Sequence, residues 1–400
     1  MKDVKTMRTY KTEIYPTKAQ IELIHKTFGC TRYIYNQFVH HNLNNLKLGL
    51  PFTSAYDYAK QVNHDPNTPV WLKEVPSKAV KQALIYADRA FQNYFKKRKG
   101  LPRFKKKGLH NSFYLIGTLK VERHRVFVPV LKWLRLKEFG YIPQNIRSVT
   151  ISMKNNRYYI SCLTNETEPD ERIPLSNYNM GIDFGLKDQF ITEDKIIPSV
   201  NKTQRVKKLE KQLRRAQRAL SRKYEANMAN KVYYQTGDKK GQLKSYKWVK
   251  PLAECKNIQK QTLKVARIHE RLARIRTDYN QKALRTLILE RKPSSITIED
   301  LAIRNLMKNR HLSKAISQAQ WYQSRSYLKQ LCDKYGIELR LVDRFYPSSK
   351  LCSNCGFKNK DLKLHERVWT CDECGSTHHR DINAAINVGK SETYTVLTTV

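Results

Sequence analysis

Two sets of residues in this chain have the types and spacing to do chemistry. The first is Cys352-x2-Cys355, fifteen intervening residues, then Cys371-x2-Cys374. Two such pairs at this separation put four soft sulfur donors within tetrahedral reach of one Zn2+, and Gly356 and Gly375 permit the tight turn after each second cysteine. Four thiolates close the coordination shell, which makes such an ion structural rather than catalytic. A redox motif or a chance pairing is the alternative. The second set is carboxylates. Asp183 ends an apolar run in Gly-Ile-Asp-Phe-Gly, Glu299 closes the β-branched run Ser295-Ile296-Thr297-Ile298, and Asp381 follows the cysteines in Arg380-Asp381-Ile382-Asn383-Ala384-Ala385-Ile386-Asn387. Alone, Asp183 between glycines reads more readily as a turn residue. The three together, at two strand ends and beside a helix, could converge and hold two divalent ions. Two hard cations roughly 4 Å apart activate a water and stabilise the leaving oxygen in phosphodiester cleavage, and carboxylates are the ligands such ions require.

Carboxylates are scarce here: 35 Asp plus Glu stand against 76 Lys plus Arg, a formal charge of +41 over 400 residues. A charge of that size, spread along the chain, points to a polyanionic partner whose condensed counterions are released on binding. Solubility alone, or a membrane surface, would not call for it. With 40% hydrophobic residues the chain can bury a real core, which excludes general disorder. No run approaches the ~18 apolar residues of a membrane span. The opening residues lack the apolar core of an export signal, and four of the eight cysteines are scattered (Cys30, Cys162, Cys255, Cys332), so a reducing cytoplasmic setting is expected.

The elements that must position these groups are legible in part. Met7 to Tyr15 alternates as a strand. Thr17 and Gln20 form a capping-box pattern for a helix ending at Gly29, followed by a second helix from Thr31 towards Asn42. Ser77 is placed to cap a third helix with the stripe Val80, Leu84, Ala87, Phe91 and Phe95. A basic run then holds Lys96, Lys97, Arg98, Lys99, Arg103, Phe104, Lys105, Lys106 and Lys107, broken by Gly and Pro. It reads as a loop that contacts phosphates, with Phe104 stacking on a base or anchoring the loop; a solvated connector is the plainer alternative. Short alternating strands follow: Val126, Val128 and Val130, then Ser148 to Met153 and Tyr158 to Leu163 around an Asn155-Asn156 turn. With the first strand they predict a small β-barrel interrupted by the helices. The polar, Pro-containing stretch Glu166 to Asn179 marks a domain boundary. Beyond it, Val206, Leu209, Leu213, Ala216, Leu220 and Val265, Ile268, Leu272, Ile275, Tyr279 recur at coiled-coil spacing and predict an antiparallel helical arm. The stretch Tyr224 to Ile258 between them has no clear period and reads as a flexible insertion.

Gly-Ile-Asp-Phe-Gly-Leu, Ile-Glu-Asp-Leu, Tyr346-Pro347-Ser348-Ser349-Lys350-Leu351-Cys352-Ser353-Asn354-Cys355-Gly356 and Arg-Asp-x-Asn-Ala-Ala-x-Asn together resemble the TnpB (OrfB-type) proteins of bacterial insertion sequences, relatives of the type V CRISPR effectors. The resemblance covers nearly the whole chain. It implies an α+β multidomain protein with an oligonucleotide-binding-like β-barrel (wedge) domain at 1–16 and 109–178. A helical recognition lobe at 17–108 carries the basic loop. An RNase H-like (RuvC) nuclease domain occupies 179–351 and 375–400, with a zinc ribbon inserted at 352–374. The implied function is an RNA-guided DNA endonuclease with Asp183, Glu299 and Asp381 as catalytic ligands of two Mg2+ ions, and Cys352, Cys355, Cys371 and Cys374 holding one structural Zn2+. Its implied partners are one guide RNA per protein, derived from the transposon end, and double-stranded target DNA met in the bacterial nucleoid; no membrane is involved. Base pairing would read the target, and the protein a short motif beside it. Two features depart from the family pattern: His379 stands where an acid is common, and the 224–258 insertion is longer than usual. The second reading is an RNA-guided DNA-binding repressor without cleavage, which the presence of all three acids disfavours.

Overall fold

A computed structural model describes residues 4–109, 111–168, 173–363 and 365–397. The chain divides into two compact units, Met1–Asp170 and Glu171–Val400. That division falls inside the polar stretch expected to be a boundary, and residues 169–172 of the stretch lie outside the described residues.

In the first unit, alternation along the strands builds a seven-stranded antiparallel sheet. Its spatial order is Ser112–Leu115, Ile146–Lys154, Arg157–Glu168, Val4–Tyr15, Lys132–Leu136, Arg125–Val128, Lys120–Glu122. The opening strand binds two partners, pairing Tyr10 with Cys162 along one edge and Ile14 with Leu136 on the other. Asn155 and Asn156 both take positive φ (53° and 55°), the conformation a two-residue hairpin needs and Asn tolerates. One face buries Ile14, Val126, Val128, Leu134, Ile151 and Ile160, against which Ile24 and Phe28 of the first helix pack. Val130 does not join them: it sits in a turn at φ 72° and is exposed.

The helices differ from expectation in two places. Lys18–Lys47 is one continuous helix, opened by the Thr17/Gln20 capping box and passing straight through Gly29. A helical Gly costs up to ~1 kcal/mol relative to Ala. The buried stripe Ile24, Phe28, Ile34, Phe38 and Val39 runs across Gly29 and outweighs that cost. Ser77 stands inside the helix Ser77–Phe95, not at its cap; Pro76 occupies that position, with no side-chain hydrogen bond.

The second unit is organised by a four-stranded sheet ordered Tyr394–Val396, Glu338–Val342, Pro293–Glu299, Ser176–Ile182. The last three strands run parallel, and the first is antiparallel to its neighbour. Met180, Ile182, Ile296, Ile298 and Leu339 form its core with Leu284, Leu287 and Ile288 from the long helix Lys256–Arg291 and Leu328 and Leu331 from the helix Trp321–Tyr335. The far half of Lys256–Arg291 leaves the sheet and pairs with Gln204–Ala226 through Val206, Leu209, Ala216, Ile268 and Leu272, so the two stripes do form an antiparallel arm. The stretch without a clear period carries regular structure. Met228–Tyr233 and Leu243–Trp248 pair as an antiparallel β-ribbon with irregular register. No described helix is long and apolar enough to cross a membrane.

Candidate functional site

Asp183 is the first residue past the buried strand Ser176–Ile182, and it is held by reciprocal backbone hydrogen bonds with Ile191 (2.9 and 3.0 Å). In the parallel register Ile182 lies beside Ile298, so Glu299 emerges next to Asp183 at the same end of the sheet. Asp381 arrives from elsewhere, in the first turn of the helix Arg380–Lys390, where the helix dipole favours an acid. That helix packs directly on the Asp183 strand because both backbones carry glycine at the crossing. A Cβ on Gly181 would sit 1.9 Å from the Ala385 carbonyl oxygen, and one on Gly389 would sit 2.9 Å from the Gly181 nitrogen. Glu299 and Asp381, far from it in the sequence, thus lie within electrostatic reach of Asp183, and all three acids are partly open to solvent.

Their electrostatics carry the mark of crowding. Burial, then the neighbouring Glu299 and Asp381, push the Asp183 carboxyl up to about 7, with Arg380 opposing. Burial also raises Glu299, opposed by Ser348, whose Oγ donates to Glu299 Oε1 at 2.5 Å. The adjacent Asp300 has a different role. It is turned to Arg344 and Arg325 (2.7 and 3.0 Å), whose hydrogen bonds hold its carboxyl below the usual range. Arg367 Nη1 donates to both oxygens of Asp381 (2.9 and 2.8 Å), and Arg380 lies 3.4 Å away. Two asparagines tie the loop bearing Ser348 to the Asp381 helix. Asn387 Nδ2 donates to the Ser348 and Leu351 carbonyls (both 2.7 Å), and Asn383 Nδ2 donates to that of Leu351 (2.6 Å). Ser348, Arg367, Asn383 and Asn387 therefore orient the acids, a role that spacing alone gave no reason to assign.

The cysteines form the second centre. The sulfurs of Cys352, Cys355, Cys371 and Cys374 all lie within 4.8 Å of one another, with Cys352–Cys374 and Cys355–Cys371 each at 3.6 Å. Tetrahedral Zn–S bonds of about 2.3 Å place sulfurs roughly 3.8 Å apart, so the quartet fits a metal such as zinc. Each knuckle closes as expected. Gly356 (φ 79°) donates its N–H to the Cys352 carbonyl, and Gly375 (φ 69°) donates to that of Cys371. His378 Nε2 lies 3.0 Å from the Cys352 sulfur. His379, the departure from the family pattern, is exposed at the start of the Asp381 helix and makes no capping hydrogen bond.

The basic run forms a loop in the first unit. Lys96, Lys97, Arg98, Lys99, Arg103, Phe104, Lys106 and Lys107 are exposed. Lys105 is different: its ammonium lies 4.0 Å from the centre of the Tyr35 ring, and burial lowers its pKa. Asn36 brackets its backbone, accepting from Lys105 N (2.8 Å) and donating to its carbonyl (3.0 Å). Lys105 therefore pins the loop to the first helix, and Phe104, 51% exposed, lies with its ring centre 6.5 Å from that of His40 on the same helix.

Comparison with known proteins finds three family models. A Cas12f1-like TNB domain matches 321–388, a helix-turn-helix domain matches 6–49, and the OrfB_IS605 family, described as "Probable transposase", matches 162–310. In this structure the 6–49 segment is a strand followed by one unbroken helix. A Streptomyces pristinaespiralis protein that bears the name "Putative RNA-guided DNA endonuclease" is 30% identical, over 95% of this chain and 88% of its own. InsQ of Escherichia coli (strain K12), named likewise, is 28% identical over 96% of this chain and 92% of its own. Among solved structures, CasPhi-2 (Cas12j) bound to crRNA and phosphorothioate DNA aligns over 96% of this chain and 92% of that one, with 9% identity and a TM-score of 0.46. By its end-to-end match to these curated relatives and the OrfB and TNB models it carries, the chain belongs to the TnpB (OrfB-type) family of RNA-guided DNA endonucleases.

Proposed function

We propose that this protein is an RNA-guided DNA endonuclease that hydrolyses target phosphodiesters at Asp183, Glu299 and Asp381. In this reading the second unit is an RNase H-like (RuvC) nuclease carrying a zinc ribbon. The first unit is an oligonucleotide-binding-like barrel with an inserted helical lobe, and its loop 96–107 faces nucleic acid. The observation that carries the reading is the convergence of Asp183 and Glu299 at one end of the parallel sheet with Asp381 on the helix that crosses it at Gly181 and Gly389. Crowded, partly exposed oxygen donors of like charge suit hard cations, and Mg2+ bound there would activate water and stabilise the departing oxygen. The chain's own contribution is orientation. Ser348 fixes the face that Glu299 presents, Arg367 and Arg380 hold Asp381, and the glycine crossing sets the Asp381 helix against the Asp183 strand. The guide is a transposon-end RNA, with a short DNA motif read by the protein itself.

The test is to purify the protein with RNA from its own locus and challenge it with a plasmid library in Mg2+. Asp183→Ala should abolish cleavage while RNA and DNA binding persist. Wild-type turnover by this variant overturns the assignment.

A further inference from the structure

The ribbon at the tip of the arm has features that a structural connector does not need. Residues 228–256 carry seven lysines against two acids. Isolated two-stranded ribbons are marginally stable in water, yet this one exposes Val232 (48%), Tyr233 (44%), Tyr246 (38%) and Val249 (60%). By strand alternation Lys244, Tyr246 and Trp248 share one face, and Met228 is the cross-strand partner of Trp248. The Tyr246 and Trp248 side of the ribbon and the end of the arm helix enclose an open cavity of about 520 Å³ lined by Tyr224, Met228, Tyr246, Trp248 and Leu252, with Glu225 as its one acid. The Trp248 ring lies 4.7 Å from Tyr246 and 5.9 Å from Tyr224, centre to centre. Lys239 and Lys244 gather around Tyr234 near the turn, each 5.8 Å from its ring.

Aromatic rings at the mouth of an open pocket, within a lysine-rich and acid-poor surface, are what an unstacked base and its flanking phosphates require. The two-stranded major-groove mode is a poorer fit, because the rings line a concavity and not the ribbon's edge. We propose that the ribbon tip captures one unpaired base of the guide RNA, stacked on Trp248 and Tyr246, with an adjacent phosphate on Lys244. This rests on the RNA-guided reading above and extends it to a site remote from the acids.

The experiment uses the full chain with its co-purified RNA. Trp248→Ala should weaken RNA binding roughly tenfold and should expose one nucleotide to base-specific chemical probing. Trp248→Phe, which keeps a ring, should retain most of the affinity and the protection. Val232→Ala, on the other face of the ribbon, should match wild type, with melting temperatures showing that all three variants fold. Unchanged affinity and footprint in Trp248→Ala overturn this inference while leaving the RNA-guided reading intact. Equal losses in the Phe and Ala variants, or a footprint that appears on single-stranded DNA and not on RNA, overturn it as well. A wild-type protein that binds no RNA overturns both.

Discussion

At the scale of single residues, the Asp183 carboxyl is where pH acts. Its folded pKa, about 7, lies above the ordinary aspartate value near ~3.9. A raised carboxyl favours the protonated native state, so its contribution to stability is complete below about pH 4 and is lost as pH rises through about 7. Without added divalent ions, the melting temperature should fall between about pH 4 and about pH 7. Asp183→Asn should remove most of that fall; scanning calorimetry showing the same slope in both proteins would contradict it. Ser348 permits a second prediction. Its hydroxyl is the donor that offsets the burial of Glu299, and the loss of such an outer partner lowers metal affinity or rate by roughly 10- to 100-fold. Ser348→Ala should therefore need more Mg2+ for half-maximal cleavage, Ser348→Thr should not, and a titration of cleavage against Mg2+ separates the cases. The acids were legible in the sequence because acids are rare in it. Ser348, Arg367 and Asn387 were not, since serine, arginine and asparagine are common residues whose role here exists only once distant segments meet.

Among the elements, what could be read depended on burial. The arm was legible because both helices bury one stripe against each other, which leaves a 3,4 repeat. The ribbon was not, because no residue of its two strands is fully buried and nothing enforces alternation. The break expected at Gly29 failed for the opposite reason: local propensity gave way to a core stripe that runs through it. Gly181 and Gly389 carried no signal of their own in the sequence, yet at the crossing neither position has room for a Cβ. The cysteine element was legible from spacing alone, and its knuckles carry a prediction. Leu362 and Trp369 bury themselves against Cys352 and Cys371, so the quartet is the centre of its own small core. Cys371→Ser should lower bound zinc and the melting temperature together, because metal binding in such elements is folding free energy. Mass spectrometry showing full zinc content and an unshifted melt would refute it.

For the molecule as a whole, the charge of +41 governs behaviour more than any one contact. If the partner is RNA held by its phosphates, affinity should fall roughly a thousandfold or more between about 50 and about 200 mM salt, the response expected for six to ten phosphate contacts. Filter binding across that range measures it, and a flat response would remove the polyelectrolyte reading. The glycine crossing and the asparagine ties have a further consequence, for synthesis. Glu299 meets Ser348 only after the arm and the ribbon have been made, and Asp183 meets Asp381 only after the cysteine knuckles as well. A ribosome making this protein therefore completes the first unit and the whole arm before Asp381 is added. On the proposed reading, the nascent polypeptide displays its basic loop long before its cutting site is complete.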